Sequence, residues 1–162
     1  GHGKGKTTAA IGQAVRAAGQ GQRVAFFQFL KGTWVYGELD PLDSISGIRV
    51  ERMQTGYSWE PGRHEEDRVL AGEAWARARE AILSGEYDLI VLDDIHHATH
   101  YRLLPLAEIV TAIRRRPAHV HLVLTGRNAP LQVLEAADQV TEMQDVKHHF
   151  RNGVLAQPGI EY

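Results

Sequence analysis

The residues best suited to chemistry open the chain: Gly1-His2-Gly3-Lys4-Gly5-Lys6-Thr7-Thr8, running straight into Ala9-Ala10-Ile11-Gly12. Glycines let backbone N–H groups close around an anion, a lysine adds a point charge, and a threonine hydroxyl can meet a magnesium ion. The alanine-rich continuation reads as a helix whose N-terminus, with unpaired N–H groups and a positive dipole end, faces that anion. This is the pattern of a phosphate-binding loop. Its usual form has a glycine five positions before the Gly5-Lys6-Thr7 triplet, ahead of residue 1; counted from Gly1, the loop is one residue shorter. A merely flexible Gly/Lys-rich terminus would not place Lys-Thr-Thr directly before a helix.

A second group of chemical residues lies mid-chain. Asp93 follows the apolar run Leu89 to Leu92 and ends a buried strand, where an acidic residue commonly holds the magnesium of a nucleotide; the competing reading is a cap for the next helix. Asp94 either orients or deprotonates a reactant or caps that helix. Arg127, after a strand and a glycine, suits phosphate oxygens, or a surface salt bridge. Lys4 either adds charge to the loop or is solvated. His96 and His100 share helical i, i+4 spacing, which a zinc ion can use, but no third ligand is evident. His119 and His121 fall on one side of a strand and are expected to pack or hydrogen-bond, and His148-His149 adjoins Lys147 and Phe150 without a demand for a ligand. Tyr57-Ser58-Trp59 sits in a Gly/Pro-rich stretch, as a core plug or as the lid of a flat apolar substrate.

The elements that must position these residues follow from periodicity. A helix is expected over 6–18, ended by Gly19-Gln20-Gly21, and a strand buried on both faces over 23–30. A loop follows over 33–47, then a short strand over 48–53 and a loop over 54–64. A helix over 65–83 presents Leu70, Ala74, Ala78 and Ile82 on one face. The strongest strand signal covers 87–93, followed by a His-rich connection over 95–102 and a helix over 104–116 with Pro105 in its first turn. A strand over 119–124, a short helix over 131–137, a short strand over 139–143 and a polar tail over 147–162 complete the chain. Helices alternating with apolar strands imply an α/β fold with a mostly parallel sheet and helices on both faces. In such sheets ligands sit beyond the carboxyl ends of the strands. The phosphate loop, Lys31-Gly32, Asp93-Asp94 and Thr125-Gly126-Arg127 all converge there.

Bulk properties narrow the classes. At 162 residues with 43% hydrophobic and 23% charged content, the chain reads as one domain, 1–162, whose first strand would lie ahead of the loop. A net charge of −2 argues against a broad nucleic-acid footprint. The absence of cysteine excludes disulfides and thiolate metal sites and suits a reducing, cytoplasmic setting. No apolar run approaches the roughly 20 residues of a membrane span.

Taken together, the ordered blocks resemble the P-loop ATP:co(I)rrinoid adenosyltransferases of cobalamin biosynthesis, the cob(I)yrinic acid a,c-diamide adenosyltransferase family. The residues that carry the resemblance are the opening loop through Ala10, then Gln28-Phe29-Leu30-Lys31-Gly32, Gly56-Tyr57-Ser58-Trp59 and Tyr87 to Asp94. They continue with His121 to Pro130 (the Thr-Gly-Arg-x-Ala-Pro block), Ala137-Asp138, Val140-Thr141-Glu142-Met143, Lys147-His148 and Gly159-Ile160-Glu161-Tyr162.

The resemblance implies a P-loop NTPase (RecA-like) fold and transfer of the 5′-deoxyadenosyl group of ATP to a cobalt(I) corrinoid with release of triphosphate. It implies that Gly1, His2, Gly3, Lys4, Gly5, Lys6, Thr7, Thr8 and Arg127 bind ATP, and that Thr7, Asp93 and Asp94 position Mg²⁺. Lys6, Thr7, Asp94 and Arg127 carry the chemistry, while Tyr57 and Trp59 pack under the corrin. It further implies a homodimer, a reducing flavoprotein as partner, and no nucleic acid or membrane. The sequence departs from the family pattern in having Asp93-Asp94 for Asp-Glu, Tyr57-Ser58-Trp59 for Phe-Thr-Trp, His96-His97 for an Asn-Tyr-like pair and His149 for proline. The family's N-terminal extension lies outside these 162 residues. The rival readings are a P-loop small-molecule kinase, which would release ADP, and a binding module that holds ATP and corrinoid without reacting them.

Overall fold

The computed structural model describes residues 1–29, 36–52 and 64–161. Its centre is a parallel four-stranded sheet built from β1 (Val24–Gln28), β2 (Ile48–Arg52), β3 (Leu89–Asp93) and β4 (His121–Leu124), in the spatial order β2-β1-β3-β4. All three pairings are parallel, with Val24 opposite both Ile48 and Leu89, and Leu89 opposite His121. The chain thus moves from β1 outward to β2, crosses back over β1, and adds β3 and β4 on the far side. The strand order reverses between β1 and β3, and at that point a parallel sheet opens a crevice at its carboxyl edge.

Both faces of the sheet are covered, which explains the continuous apolar runs in β1 and β3. On one face α1 (Lys6–Gly19) lays Ala10, Ala14 and Ala17 against Val24, Phe26, Leu89 and Val91. The small alanine side chains let the helix approach the sheet closely. On the other face Ala25, Phe27, Phe29, Ile90 and Leu92 meet α3 (His64–Ser84), α4 (Ile95–His100), α5 (Leu106–Arg115) and α6 (Leu131–Ala136). Trp75 of α3 donates its indole N–H to Glu108 of α5 at 2.9 Å, joining the two long outer helices.

Several expectations are corrected. The supposed loop over 33–47 contains a helical turn, α2 (Leu39–Asp43), because Leu39 and Leu42, three apart, are both buried. The buried stripe of α3 runs through Asp67, Ala71, Ala74, Trp75, Ala78 and Ile82; Leu70 is 38% exposed, and Ala71 takes the place assigned to it. The His-rich connection forms the short helix α4, and Pro105 is the N-cap of α5 rather than a first-turn residue. The final strand begins at His121, leaving His119 in the turn with its ring nitrogen 3.0 Å from Gly85 O. Residues 139–143 pair with no strand among the described residues, and Val140 is 56% exposed, so nothing rewards their alternation with burial. The polar tail includes a 3₁₀ turn, His149–Asn152.

Candidate functional site

Two chain segments make the phosphate loop. Gly5, at φ 104°, is the N-cap of α1 and makes no side-chain cap, so the first-turn amides point into the loop. Gly1 and Gly3 pack directly on the backbone of residues 143–144. A Cβ on Gly1 would stand 2.2 Å from Met143 O, and one on Gly3 would stand 2.6 Å from Gln144 C. Gly3 N donates to Met143 O at 2.8 Å, fixing this approach. The expected strand over 139–143 is therefore a strap that carries the glycine loop. Within the loop Lys6 Nζ donates to Gly3 O at 2.7 Å.

The loop faces the carboxyl edge of β3. Thr7, in the first turn of α1, places Oγ1 3.0 Å from Asp93 Oδ1 and 3.2 Å from Oδ2. Asp93 is fully buried, and Thr125 Oγ1 donates to its Oδ1 from the other side at 2.6 Å. The same Thr125 oxygen accepts Asp94 N at 2.9 Å. Asp93 thus ends its strand among hydroxyl donors, and the N-cap position of α4 falls to the next residue, Asp94.

Asp94 holds the N-cap position of α4 in the left-handed region, at φ 59°, and its side chain makes no cap hydrogen bond. Its Oδ1 lies 3.7 Å from His97 Nδ1. Non-glycine residues at such angles store strain, and they concentrate where a side chain must be aimed. Gly126, at φ 141°, lets the loop after β4 pass against α4, since a Cβ there would stand 2.7 Å from His96 Cβ. Arg127 follows at the same edge of the sheet, exposed and without an ion-pair partner among the described residues.

His96 is buried and its pKa falls to about 4, mainly through desolvation, so the ring is neutral at physiological pH. Its i, i+4 partner His100 is exposed and stacks edge-on against Tyr101. No cluster of three or more His, Asp or Glu able to hold a metal ion occurs among the described residues. Lys4 turns away from the loop to the tail, donating to Glu161 Oε1 and Ile160 O, each at 2.7 Å. Glu161 also accepts Gln157 N at 2.7 Å and lies 3.2 Å from His149 Nε2. The Lys4 contact, with that backbone bond second, holds its carboxyl below the usual value. His2 and Thr8 are exposed. Lys31-Gly32, Tyr57, Trp59 and Tyr162 lie outside the described residues.

Sequence reasoning missed two parts of this site. Thr125 stood inside a quoted block but had no role, because a threonine at a strand end carries no signal until Asp93 and Asp94 are brought beside it. The Met143–Gln144 support left no signal except the glycines it requires.

A glycine loop before a helix, facing a buried acid at the carboxyl edge of a parallel sheet, defines a P-loop nucleotide-binding protein. No helix among the described residues is long and apolar enough to cross a membrane. The model of the family "ATP:corrinoid adenosyltransferase BtuR/CobO/CobP" matches residues 1–162, and the chain belongs to that family. It is 41% identical over 162 residues to the corrinoid adenosyltransferase of Escherichia coli (strain K12), covering 100% of this chain and 82% of that protein. The corrinoid adenosyltransferase CobA of Salmonella typhimurium (strain LT2) gives the same identity and coverage. The corrinoid adenosyltransferase of Pseudomonas aeruginosa is 37% identical over 163 residues, covering 100% of this chain and 80% of the relative.

Proposed function

We propose that this site transfers the 5′-deoxyadenosyl group of ATP to a cobalt(I) corrinoid. The observation that carries the reading is the meeting of Thr7 with Asp93 at the mouth of the glycine loop, in a chain matched to the adenosyltransferase family from end to end. The electron pair of cobalt(I) attacks C5′, a cobalt–carbon bond forms, the C5′–O bond breaks, and triphosphate leaves with that bonding pair. Charge builds on the leaving group, so the chain's task is to place donors around it; removing one such donor costs roughly 10²- to 10³-fold in related chemistry.

Gly1, His2, Gly5 and Thr8 offer backbone to the polyphosphate around a loop that Gly3 shapes, its N–H held by Met143 O and its carbonyl by Lys6 Nζ. Lys6 adds its ammonium, and Arg127 is free to swing onto phosphate oxygens. Lys4 joins them by exchanging Glu161 for the nucleotide. The donor set of Thr7 Oγ1 and the Asp93 carboxylate, with Asp94 next in chain, is hard oxygen and fits Mg²⁺, which takes one or two carboxylates and completes its shell with phosphate and water. Bound there, Mg²⁺ would neutralise charge on the leaving triphosphate. Asp94 orients the reactants from its strained position. Tyr57 and Trp59 pack under the corrin and keep the lower axial position of cobalt empty, which eases reduction to cobalt(I). A homodimer, a reducing flavoprotein and a cytoplasmic setting complete the reading.

The test is anaerobic: protein, ATP, Mg²⁺ and chemically reduced cobalt(I) corrinoid are mixed, the visible spectrum is followed and the released phosphate identified. A photolabile alkylcobalt product with intact triphosphate is expected. Bound ligands with an unchanged cobalt(I) spectrum would mark a binding module, and ADP release without corrinoid binding would mark a kinase. Trp59→Ala should slow reaction from cobalt(II) under weak reductant more than reaction from preformed cobalt(I); equal losses would remove the axial-ligand role.

A further inference from the structure

Gln28 is the last residue of β1 and is 2% exposed, yet its side-chain Nε2 has no hydrogen-bond partner among the described residues. A buried donor without an acceptor is destabilising, and native chains keep few of them. Its position in the fold says what the donor faces. Side chains alternate along a strand, and Val24 and Phe26 of β1 pack with Ala10 and Ala14 of α1. Gln28 continues that row to the carboxyl end. On β3 the same face carries Leu89, Val91 and then Asp93, which Thr7 of α1 reaches. The parallel register sets Gln28 directly opposite Asp93. The unpaired donor therefore lies on the phosphate-loop face, beside the buried acid, in the crevice where the strand order reverses.

We propose that Gln28 is a further substrate-binding residue, donating its Nε2–H to an oxygen of the triphosphate chain of ATP. An uncharged amide suits this place: it adds a donor next to Asp93 without adding negative charge against the phosphates, and without a second cation that would pair with Asp93. The proposal rests on the assignment of the loop as the ATP site. It assigns a third strand end to that site, on the side of Asp93 away from Thr125.

Calorimetric titration of Mg·ATP and of Mg·tripolyphosphate into the wild type, Gln28→Leu and Gln28→Glu tests it, together with the melting temperature of each protein without nucleotide. Gln28→Leu should weaken both ligands by a similar factor, roughly tenfold or more for a bond to a charged acceptor. Its melting temperature without nucleotide should stay level or rise, because the substitution removes an unpaired buried donor. Gln28→Glu should bind tripolyphosphate more weakly than Gln28→Leu, through charge repulsion. Unchanged affinities in Gln28→Leu would overturn the proposal, as would loss for ATP alone. A fall in melting temperature with intact affinity in either variant would make Gln28 a structural residue. A wild type that binds neither ligand, or a Lys6→Ala variant that binds tripolyphosphate normally, would instead overturn the phosphate-loop assignment itself.

Discussion

Thr7 Oγ1 and Asp93 Oδ1 lie 3.0 Å apart, although 86 positions separate them in the chain. The contact ties the first turn of α1 to the end of the central strand β3, and so holds the phosphate loop over the carboxyl edge of the sheet. Thr125, the residue after β4, clasps the same carboxylate at 2.6 Å. Burying a carboxylate is costly unless hydrogen bonds meet it, and these two hydroxyls supply such bonds and hold Asp93 aimed at the site.

Lys6→Ala should abolish most ATP use. Among the described residues its ammonium is the cation fixed inside the loop, bonded to Gly3 O at 2.7 Å. The expected fall in kcat/KM for ATP is roughly 10²-fold or more, measured as triphosphate release. Turnover near the wild-type rate would remove the loop from the mechanism.

Thr125→Val keeps the shape of the side chain but deletes a donor to Asp93 and an acceptor for Asp94 N. Two polar groups lose a partner, so stability should drop by about 1–3 kcal/mol in denaturant titration. The kcat should fall as well, since Asp93 and Asp94 both lose an anchor, and Thr125→Ser should restore most of both. A valine variant with wild-type kcat would show that the clasp serves the fold alone.

Two glycines at the start of the chain, one in the loop and one inside α1, should respond in opposite directions. A methyl on Gly3 meets the backbone of Gln144 at 2.6 and 2.7 Å, and the strap cannot yield without breaking the Gly3 N–Met143 O bond. Gly3→Ala should therefore weaken Mg·ATP binding and lower the melting temperature. Gly12, inside α1, has nothing within 4 Å of an added Cβ. Gly12→Ala should raise stability by about 0.5–1 kcal/mol through lower unfolded-state entropy, with ATP affinity unchanged. Equal losses in both variants would contradict the packing described for the loop.

The tail contact should fail in acid. Glu161 has its carboxyl pKa lowered from 4.5, chiefly by Lys4. Its folded value lies below its unfolded one, so its contribution is full above 4.5 and is lost as pH falls through the lowered value. The protection of the Gln157 amide, whose N–H Glu161 accepts, measured against the intrinsic exchange rate at each pH, should fall over that range, and Glu161→Gln should lack this acid step. A wild-type profile in the variant would show that Glu161 does not hold the tail.

Much of the fold was open to reading because its signals are local. The Lys6 helix, the apolar run of β1, the Leu89–Asp93 strand and the glycine stops depend on periodicity and backbone freedom, which neighbouring residues largely decide. Asp93 stood out for the same reason, as an acid directly behind four apolar residues. The α2 turn escaped because two leucines three apart carry no period, and Leu70 was misplaced because a one-residue rotation of the stripe depends on which face the sheet meets.

The sequence by itself therefore determined the order of the four strands and of the helices α1, α3, α5 and α6, the parallel α/β class and the glycine loop, since each rests on residues close in the chain. Tertiary structure alone decided what each of these residues touches. Residues 139–143 pair with no described strand, and Met143 with Gln144 instead supports Gly1 and Gly3. Lys4 went to Glu161 because the last turn of the tail folds back on the loop. Thr125 reached Asp93, and Gln28 came to stand opposite it, because parallel register sets distant strand ends side by side. Such contacts depend on the packing of segments tens of residues apart, and no local pattern encodes them.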